Sequence, residues 1–318
     1  MTYVIFAITI SICLTVYFRI ARSNNIIDKP NQRSSHVVPT IRGGGIIFFL
    51  AIFIWFLIND LKWPWMMLGV SAVAVISFWD DISERPAWLR FAVHWLAMLL
   101  IFFQVDAFAW PFLLVGFALI ICIGALNAFN FMDGINGITG LYALVNLVSL
   151  YIINQIIPFS DSQLLGFMIV SVCVFLFYNF RTQAVCFAGD IGSVTIALFQ
   201  IFLLLQLIIA TNNFLWVIMF WVYGIDSVVT ILYRLKKREN IFKPHRTHLY
   251  QYLANEMKWS HQSVSLVYAF LQGCLNSLLI YSYMNSSQLI PVGAAIIFLT
   301  AYLGIRVTIS NRILSNGL

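Results

Sequence analysis

The sequence predicts an all-α, polytopic integral membrane protein with about 11 transmembrane helices, built as one domain over residues 1–318. Composition is the first observation behind this. Hydrophobic residues fill 61% of positions and charged residues only 9%, whereas soluble domains carry roughly 25% charged and 45–50% apolar residues. The second is that the apolar residues come in runs approaching the ~20 residues that a bilayer-crossing helix needs. The third is that the basic residues segregate between alternate loops, as topology demands.

In chain order the spans run near 2–20, 44–58, 65–79, 89–104, 107–126, 138–157, 163–180, 193–210, 214–234, 263–283 and 289–309. The first lacks a basic leader and is followed by Arg19 and Arg22. It therefore reads as a retained helix with its N-terminus outside, rather than a cleaved signal peptide. An odd number of crossings then puts the C-terminus in the cytoplasm. With this count every Lys and Arg except Lys62 falls on the cytoplasmic side. Dropping or adding one internal helix scrambles that segregation.

The same arithmetic excludes several function classes. Dinucleotide-binding and P-loop folds, disulfide scaffolds and disordered tails do not have this composition. The formal charge of +6 is strung between apolar segments, which argues against nucleic acid as a partner and for membrane lipids. The five cysteines are odd in number and form no C-x-x-C pair, so they read as reduced packing residues.

The polar chemistry gathers in the inner loops. The first carries Asp28, Arg33 and His36, then Arg42-Gly43-Gly44-Gly45 where a helix begins. Glycines there let backbone N–H groups approach an anion, while a loop that only sets topology is the plainer alternative. The second opens with Asp80-Asp81, with Arg90 following. Paired carboxylates at a membrane boundary call for a cation, either Mg²⁺ or a basic side chain, unless they merely cap a helix.

The third loop, Asn127-Ala-Phe-Asn130-Phe-Met-Asp133-Gly134-Ile-Asn136-Gly137, is the densest, and packing alone does not account for it. The fourth has Asp190 between Gly189 and Gly192 at a helix start, suited either to the helix dipole or to a divalent ion shared with the other acidic loops. The last carries His245, Arg246 and His248, then Tyr250 and Gln251. These suit a sugar or nucleobase edge. A zinc pair at His245 and His248 lacks further ligands. Asp226, inside a span, is either a functional intramembrane acid or the partner of Arg234.

In this order, the Asp80-Asp81 pair, the Asn127–Gly137 block, Gly189-Asp190-Ile-Gly192-Ser193 and Pro244-His245-Arg246-Thr247-His248-Leu249-Tyr250-Gln251 resemble the polyprenyl-phosphate N-acetylhexosamine-1-phosphate transferases. The resemblance implies a membrane enzyme that moves a sugar-1-phosphate from a UDP-N-acetylhexosamine to undecaprenyl phosphate, releasing UMP. It implies Mg²⁺, with Mn²⁺ as an alternative, at Asn130 and Asp190, and matches Asp80 and Asp81 to a catalytic acidic pair, which either accepts a residual proton from the lipid phosphate or organises the metal and Arg90. Asn127, Asp133 and Asn136 fall on the nucleotide side. Arg90 falls on the lipid phosphate, and His245, Arg246 and His248 on the sugar; by charge alone, Arg33 or Arg42 is a further candidate for the lipid phosphate.

The last block lacks the triple histidine of the peptidoglycan-initiating branch, so the chain looks closer to enzymes that prime O-antigen or related surface glycans in a bacterial inner membrane. A homodimer would need a polar seam that the sequence does not reveal. The competing reading is a secondary transporter of nucleotide sugars or lipid-linked sugars. That reading expects an internal repeat and midplane polar residues, and neither is evident.

The orientation is directly testable. In a cysteine-free background, Lys62→Cys is expected to react with an impermeant maleimide on intact cells, and Gln183→Cys only after permeabilisation. The opposite pattern would invert the topology.

Overall fold

The computed structural model describes residues 1–30, 35–240 and 245–315. Arg33 and the segment Ile241–Pro244 lie outside the described residues. Helix α1 (Thr2–Ser23) leads to strands β1 (Ile27–Asp28) and β2 (Thr40–Ile41). Then come α2 (Ile46–Ile58), α3 (Pro64–Ile82), α4 (Ala87–Gln104), α5 (Phe112–Met132), α6 (Ile138–Ile156) and α7 (Ser162–Asn179). The chain continues with α8 (Gly189–Thr211), α9 (Trp221–Lys236), the single turn α10 (Leu249–Gln251), α11 (His261–Met284) and α12 (Leu289–Ser315).

Each expected span falls on a helix, and among the described residues 10 helical segments are long and apolar enough to cross a membrane. The remaining one, α2, has 13 residues and reaches only about 20 Å at 1.5 Å per residue. Boundaries moved where local chemistry dictates. The fifth span starts at Phe112 rather than near 107, because Pro111 supplies an extended cap and a 3₁₀ turn occupies Ala107–Ala109. It runs on to Met132, so Asn127 and Asn130 are helical. Asp161 caps α7, accepting from the N–H groups of Gln163 and Leu164 at 2.9 Å. It also takes the Trp55 indole N–H at 3.1 Å.

Helix α8 is the hub: 78% of its most apolar window is buried, against 22% for α12. It packs on α2, α3, α5 and α6. The outward faces of α1 and α12 present Ile5, Ile8, Ile12, Ile297 and Val307. A surface of this kind is at rest only in hydrocarbon. Cys122 and Cys186 are buried, while Cys173 and Cys274 are on exposed helix faces.

Between α6 and α11 the interior holds a chain of polar side chains. The Tyr142 hydroxyl donates to Gln272 Oε1 at 2.7 Å and Gln272 Nε2 to Asn276 Oδ1 at 2.8 Å. Asn276 Nδ2 reaches Asn146 Oδ1 at 2.9 Å and Ser149 Oγ at 3.0 Å. With no water in the bilayer core, such groups must satisfy each other.

At one end of the bundle, backbone bonds stitch the first inner loop to the fourth. Strands β1 and β2 pair antiparallel, Ile27 opposite Ile41 and Asp28 opposite Thr40. Phe187 N–H donates to Ile41 C=O at 2.8 Å, Gly44 N–H to Phe187 C=O at 2.8 Å, and Gly45 N–H to Ala188 C=O at 3.0 Å. The approach is close enough that a Cβ on Gly45 would fall on the Gly192 backbone. Glycine is needed at 45 for that reason, and the start of α2 thereby meets the start of α8.

Gly45→Ala is accordingly expected to cost about 1–3 kcal/mol through overpacking, read as a lower melting temperature in detergent, whereas Gly116→Ala, with open space beside it, should be neutral.

Candidate active site

The site is built around the first turn of α8. The Asp81 carboxylate, at the end of α3, accepts the N–H of Asp190 at 2.8 Å and of Ile191 at 3.1 Å. It thus caps α8 from a different helix, satisfying two of the donors that a helix start leaves open. Gly189, with φ +72, admits this approach, since a Cβ there would meet Asp81 Oδ2 and Gly43 N.

Two arginines close the charge pattern. Arg42 Nε is 2.7 Å from Asp81 Oδ1 and its Nη2 is 3.4 Å from Asp190 Oδ1. Arg90 Nη1 is 2.7 Å from Asp80 Oδ2 and 3.3 Å from Asp190 Oδ2. Asp190 therefore sits between two guanidinium groups, and three carboxylates alternate with two cations. Arg85 N–H adds a 2.6 Å bond to Asp80 Oδ1. The Tyr17 hydroxyl donates to Arg42 C=O at 2.6 Å and steadies that strand end. Burial opposes the charge of Arg42, but Asp81 and Asp190 more than offset it, and its pKa is raised.

A cavity of about 330 Å³ opens beside this network, lined by Arg42, Asn130, Asp133, Asn136, Asp190 and His245 among others. Asn130 Nδ2 donates to Ser193 Oγ at 3.2 Å, tying α5 to α8. Asn136 Nδ2 donates to Arg181 C=O at 2.8 Å. Burial pushes the Asp133 carboxyl up to about 7, with the Asp190 charge acting in the same direction and a Thr139 hydrogen bond and Arg42 opposing it.

The last loop docks on the far side. The Tyr250 hydroxyl donates to Phe131 C=O at 2.9 Å, and its ring covers Gly134, where a Cβ would strike it. Thus the Asn130–Gly137 turn and the His245–Gln251 segment meet. Arg234 is bonded to Glu239 at 3.0 Å and to His245 Nδ1 at 2.7 Å. Arg246 pairs with Glu256 at 2.7 Å. His245 and His248 stack at 5.0 Å between centroids, and their Nδ1 atoms face Arg234 and Asp226 respectively.

Of the residues singled out in the sequence, Asp80, Asp81, Arg42, Arg90 and Asp190 form one network, and Arg42, Asn130, Asp133, Asn136, Asp190 and His245 share the cavity wall. Asn127 is not among the cavity residues, and its amide donates to Ile123 C=O of its own helix at 2.8 Å. Arg246 and His248 do not line the cavity either. Asp28, Ser35, His36, Asn179, Gln251 and His261 do. Asp28, His36 and Gln251 belong to polar blocks that stand out in the sequence. Asn179 and His261 carry no local signal, since only helix packing brings them here.

Oxygen donors dominate this wall, and hard divalent cations take such donors. Among the described residues, no group of three His, Cys, Asp or Glu side chains is close enough to form an all-protein metal cage. Asp133, Asp190 and the Asn130 amide instead suit an ion such as Mg²⁺, which keeps waters and uses one or two carboxylates plus substrate phosphate.

A family model described as glycosyl transferase family 4 matches residues 63–208, just under half of the chain. The matched segment runs from α3 into α8 and contains Asp80, Asp81, Arg90, Asn130, Asp133, Asn136 and Asp190. No curated protein matches the chain. The match supports an enzyme of the glycosyl transferase family 4 kind, in a chain that has the helices of a multi-pass membrane protein.

Asp81→Asn removes the nearest counter-charge of Arg42 and weakens the α8 cap together. A loss of about 2–3 kcal/mol is expected in detergent unfolding, toward the lower end for breaking a buried pair because Arg42 is partly solvated. Asp80→Asn, with its Arg90 also partly solvated, should cost only about 1 kcal/mol.

Proposed function

We propose that the protein transfers an N-acetylhexosamine-1-phosphate type group from a UDP-sugar to undecaprenyl phosphate, releasing UMP. This would be a first membrane step of surface-glycan synthesis at the cytoplasmic face of a bacterial inner membrane. The observation that carries the reading is the cavity in which Arg42, Asn130, Asp133 and Asp190 converge at one end of an apolar bundle, most of them inside the segment matching glycosyl transferase family 4. A lipid phosphate held at the membrane boundary and a water-borne nucleotide can meet only at such a rim. A cavity there supports transfer over transport, which needs access from both sides.

Both substrates are anions. At an effective dielectric near 20, two unit charges 4 Å apart repel by about 4 kcal/mol. The network holds three carboxylates against two guanidiniums, so by itself it does not attract a pyrophosphate. Mg²⁺ held by Asp190 and Asn130, with Asp133 beside them, would supply the missing positive charge on the pyrophosphate.

The protein's own groups do the rest. Arg90 and Arg42, shared among Asp80, Asp81 and Asp190, are the groups that can turn toward phosphate oxygens, and a cation held by Asp190 would replace the charge they give up there. Arg90 then holds the lipid phosphate in line with the β-phosphorus. The lipid phosphate oxygen forms the new P–O bond, and the bond from the β-phosphorus to the α–β bridging oxygen breaks. UMP leaves with that electron pair. A phosphate monoester with second pKa near 6 is largely dianionic at neutral pH, so Asp80 and Asp81 need not remove a proton and act by orienting Arg90, Arg42 and α8.

Purified protein with undecaprenyl phosphate, Mg²⁺ and a panel of UDP-N-acetylhexosamines is expected to release UMP with one donor, and Asp190→Ala to abolish release. Sugar nucleotide crossing liposomes without UMP formation would overturn the assignment.

The raised carboxyl of Asp133 adds a pH signature. Folded protein holds a proton there that the unfolded chain releases near pH 4, so stability without metal should decline as pH rises from about 4 to about 7. Mg²⁺ should restore it increasingly toward pH 7 and above. Asp133→Asn should flatten that dependence in thermal unfolding.

A further inference from the structure

Asp226 is the buried acid that the transfer chemistry does not use. Its side chain is fully enclosed on α9, where the Thr230 hydroxyl one turn on donates to Oδ1 at 3.3 Å. The remaining partners come from elsewhere. Leu249 N–H donates to Oδ1 at 3.0 Å and Tyr250 N–H to Oδ2 at 3.3 Å. His248 Nδ1 is 3.2 Å from Oδ1. Tyr268 of α11 donates its hydroxyl at 2.6 Å and Tyr302 of α12 at 3.1 Å.

Arg306 of α12 completes the assembly. Its Nη1 donates to Thr230 Oγ1 and to the Tyr302 hydroxyl, both at 2.9 Å, and its Nη2 to Thr247 C=O at 2.9 Å. Asp226 therefore grips the N–H groups of residues 249 and 250, while Arg306 grips the carbonyl of 247. Arg306 Nη1 and Asp226 Oδ1 lie 3.9 Å apart. They clamp three consecutive peptide units of the last loop from opposite polarities.

That loop is the one whose two ends face the cavity, His245 before the clamp and Gln251 after it. Its Tyr250 also reaches Phe131 C=O beside the asparagine-rich turn. A carboxylate enclosed in apolar helices costs several kcal/mol unless fully paired. An expenditure of this kind on a loop anchor is explained if the loop must hold a set position.

We propose that Asp226, with Arg306 and Tyr302 of α12, is the positioning device for the substrate-recognition loop, so that the C-terminal helix sets how tightly the sugar-nucleotide donor is bound. The donor assignment rests on the transferase reading above. The clamp itself does not touch the reacting atoms. Loss of a clamp group lets His245 and Gln251 wander, which weakens donor binding without altering the network around Asp190. The lipid phosphate, held by Arg90 on the other side, is unaffected.

The test compares wild type with Asp226→Asn, Arg306→Gln, Arg306→Lys and Tyr302→Phe, using full-length protein in detergent. Two readouts are taken: hydrogen–deuterium exchange over residues 245–256, and KM and kcat for UDP-sugar and lipid phosphate. Asp226→Asn and Arg306→Gln are expected to speed exchange in that segment and raise the donor KM about tenfold or more, the scale of a loosened positioning contact. The kcat and lipid-phosphate KM should stay within about threefold. Arg306→Lys should recover part of the donor affinity, and Tyr302→Phe should give a smaller shift in the same direction with the fold intact. Unchanged exchange, or a fall in kcat alone, would overturn the proposal. If wild type releases no UMP with any donor, the transferase reading fails, while the exchange data still decide whether the clamp orders the loop.

Discussion

The arrangement of this protein's polar end depends on one carboxylate placed against the wrong helix. Asp81 ends α3, yet it serves as the cap of α8, taking the N–H groups of Asp190 and Ile191. That bond fixes the first turn of the hub helix and therefore the direction of the Asp190 side chain. It also draws in Arg42, whose guanidinium bridges Asp81 to Asp190. Without the cap, the N–H groups of Asp190 and Ile191 would be left open and Arg42 would lose its nearest counter-charge at the membrane boundary, a costly arrangement.

Small residues make that bond geometrically reachable. Gly45 and Gly192 let α2 and α8 touch backbone to backbone, and Gly189 leaves room for the carboxylate itself. The backbone ladder from Ile41 through Ala188 then carries the first inner loop onto the fourth. Function-bearing charge and structural hydrogen bonding are thus the same contacts. The stability of the bundle and the poise of the proposed site cannot be tuned separately there, whereas at the Asp226 clamp they are spatially divided.

The proposed chemistry follows from charge bookkeeping more than from any single group. Asp190 stands between two guanidiniums, a position from which it can hand both to phosphate oxygens when a cation takes their place. Asp133, held near neutrality by burial, responds to the same event. On the proposed reading, a cation would offset the excess of carboxylates before a pyrophosphate could bind.

Eleven apolar runs and a segregated set of basic residues are enough to read the helices, because burial in lipid requires those runs whatever their neighbours are. The inner-loop blocks stood out for a similar reason: Asp80, Asp81, Asn130, Asp133 and Asp190 are expensive at a membrane boundary, so their presence is itself a signal. Partnership was not legible. That Asp81 caps α8, that Asp226 serves the N–H groups of Leu249 and Tyr250 instead of its sequence neighbour Arg234, and that Asn179 and His261 reach the cavity while Asn127 does not, all depend on how helices far apart in sequence pack. One-dimensional spacing tells which side of the membrane a residue occupies. Only the close approach of particular helices, permitted by a few glycines and enforced by the need to pair every buried charge, decided which residues meet.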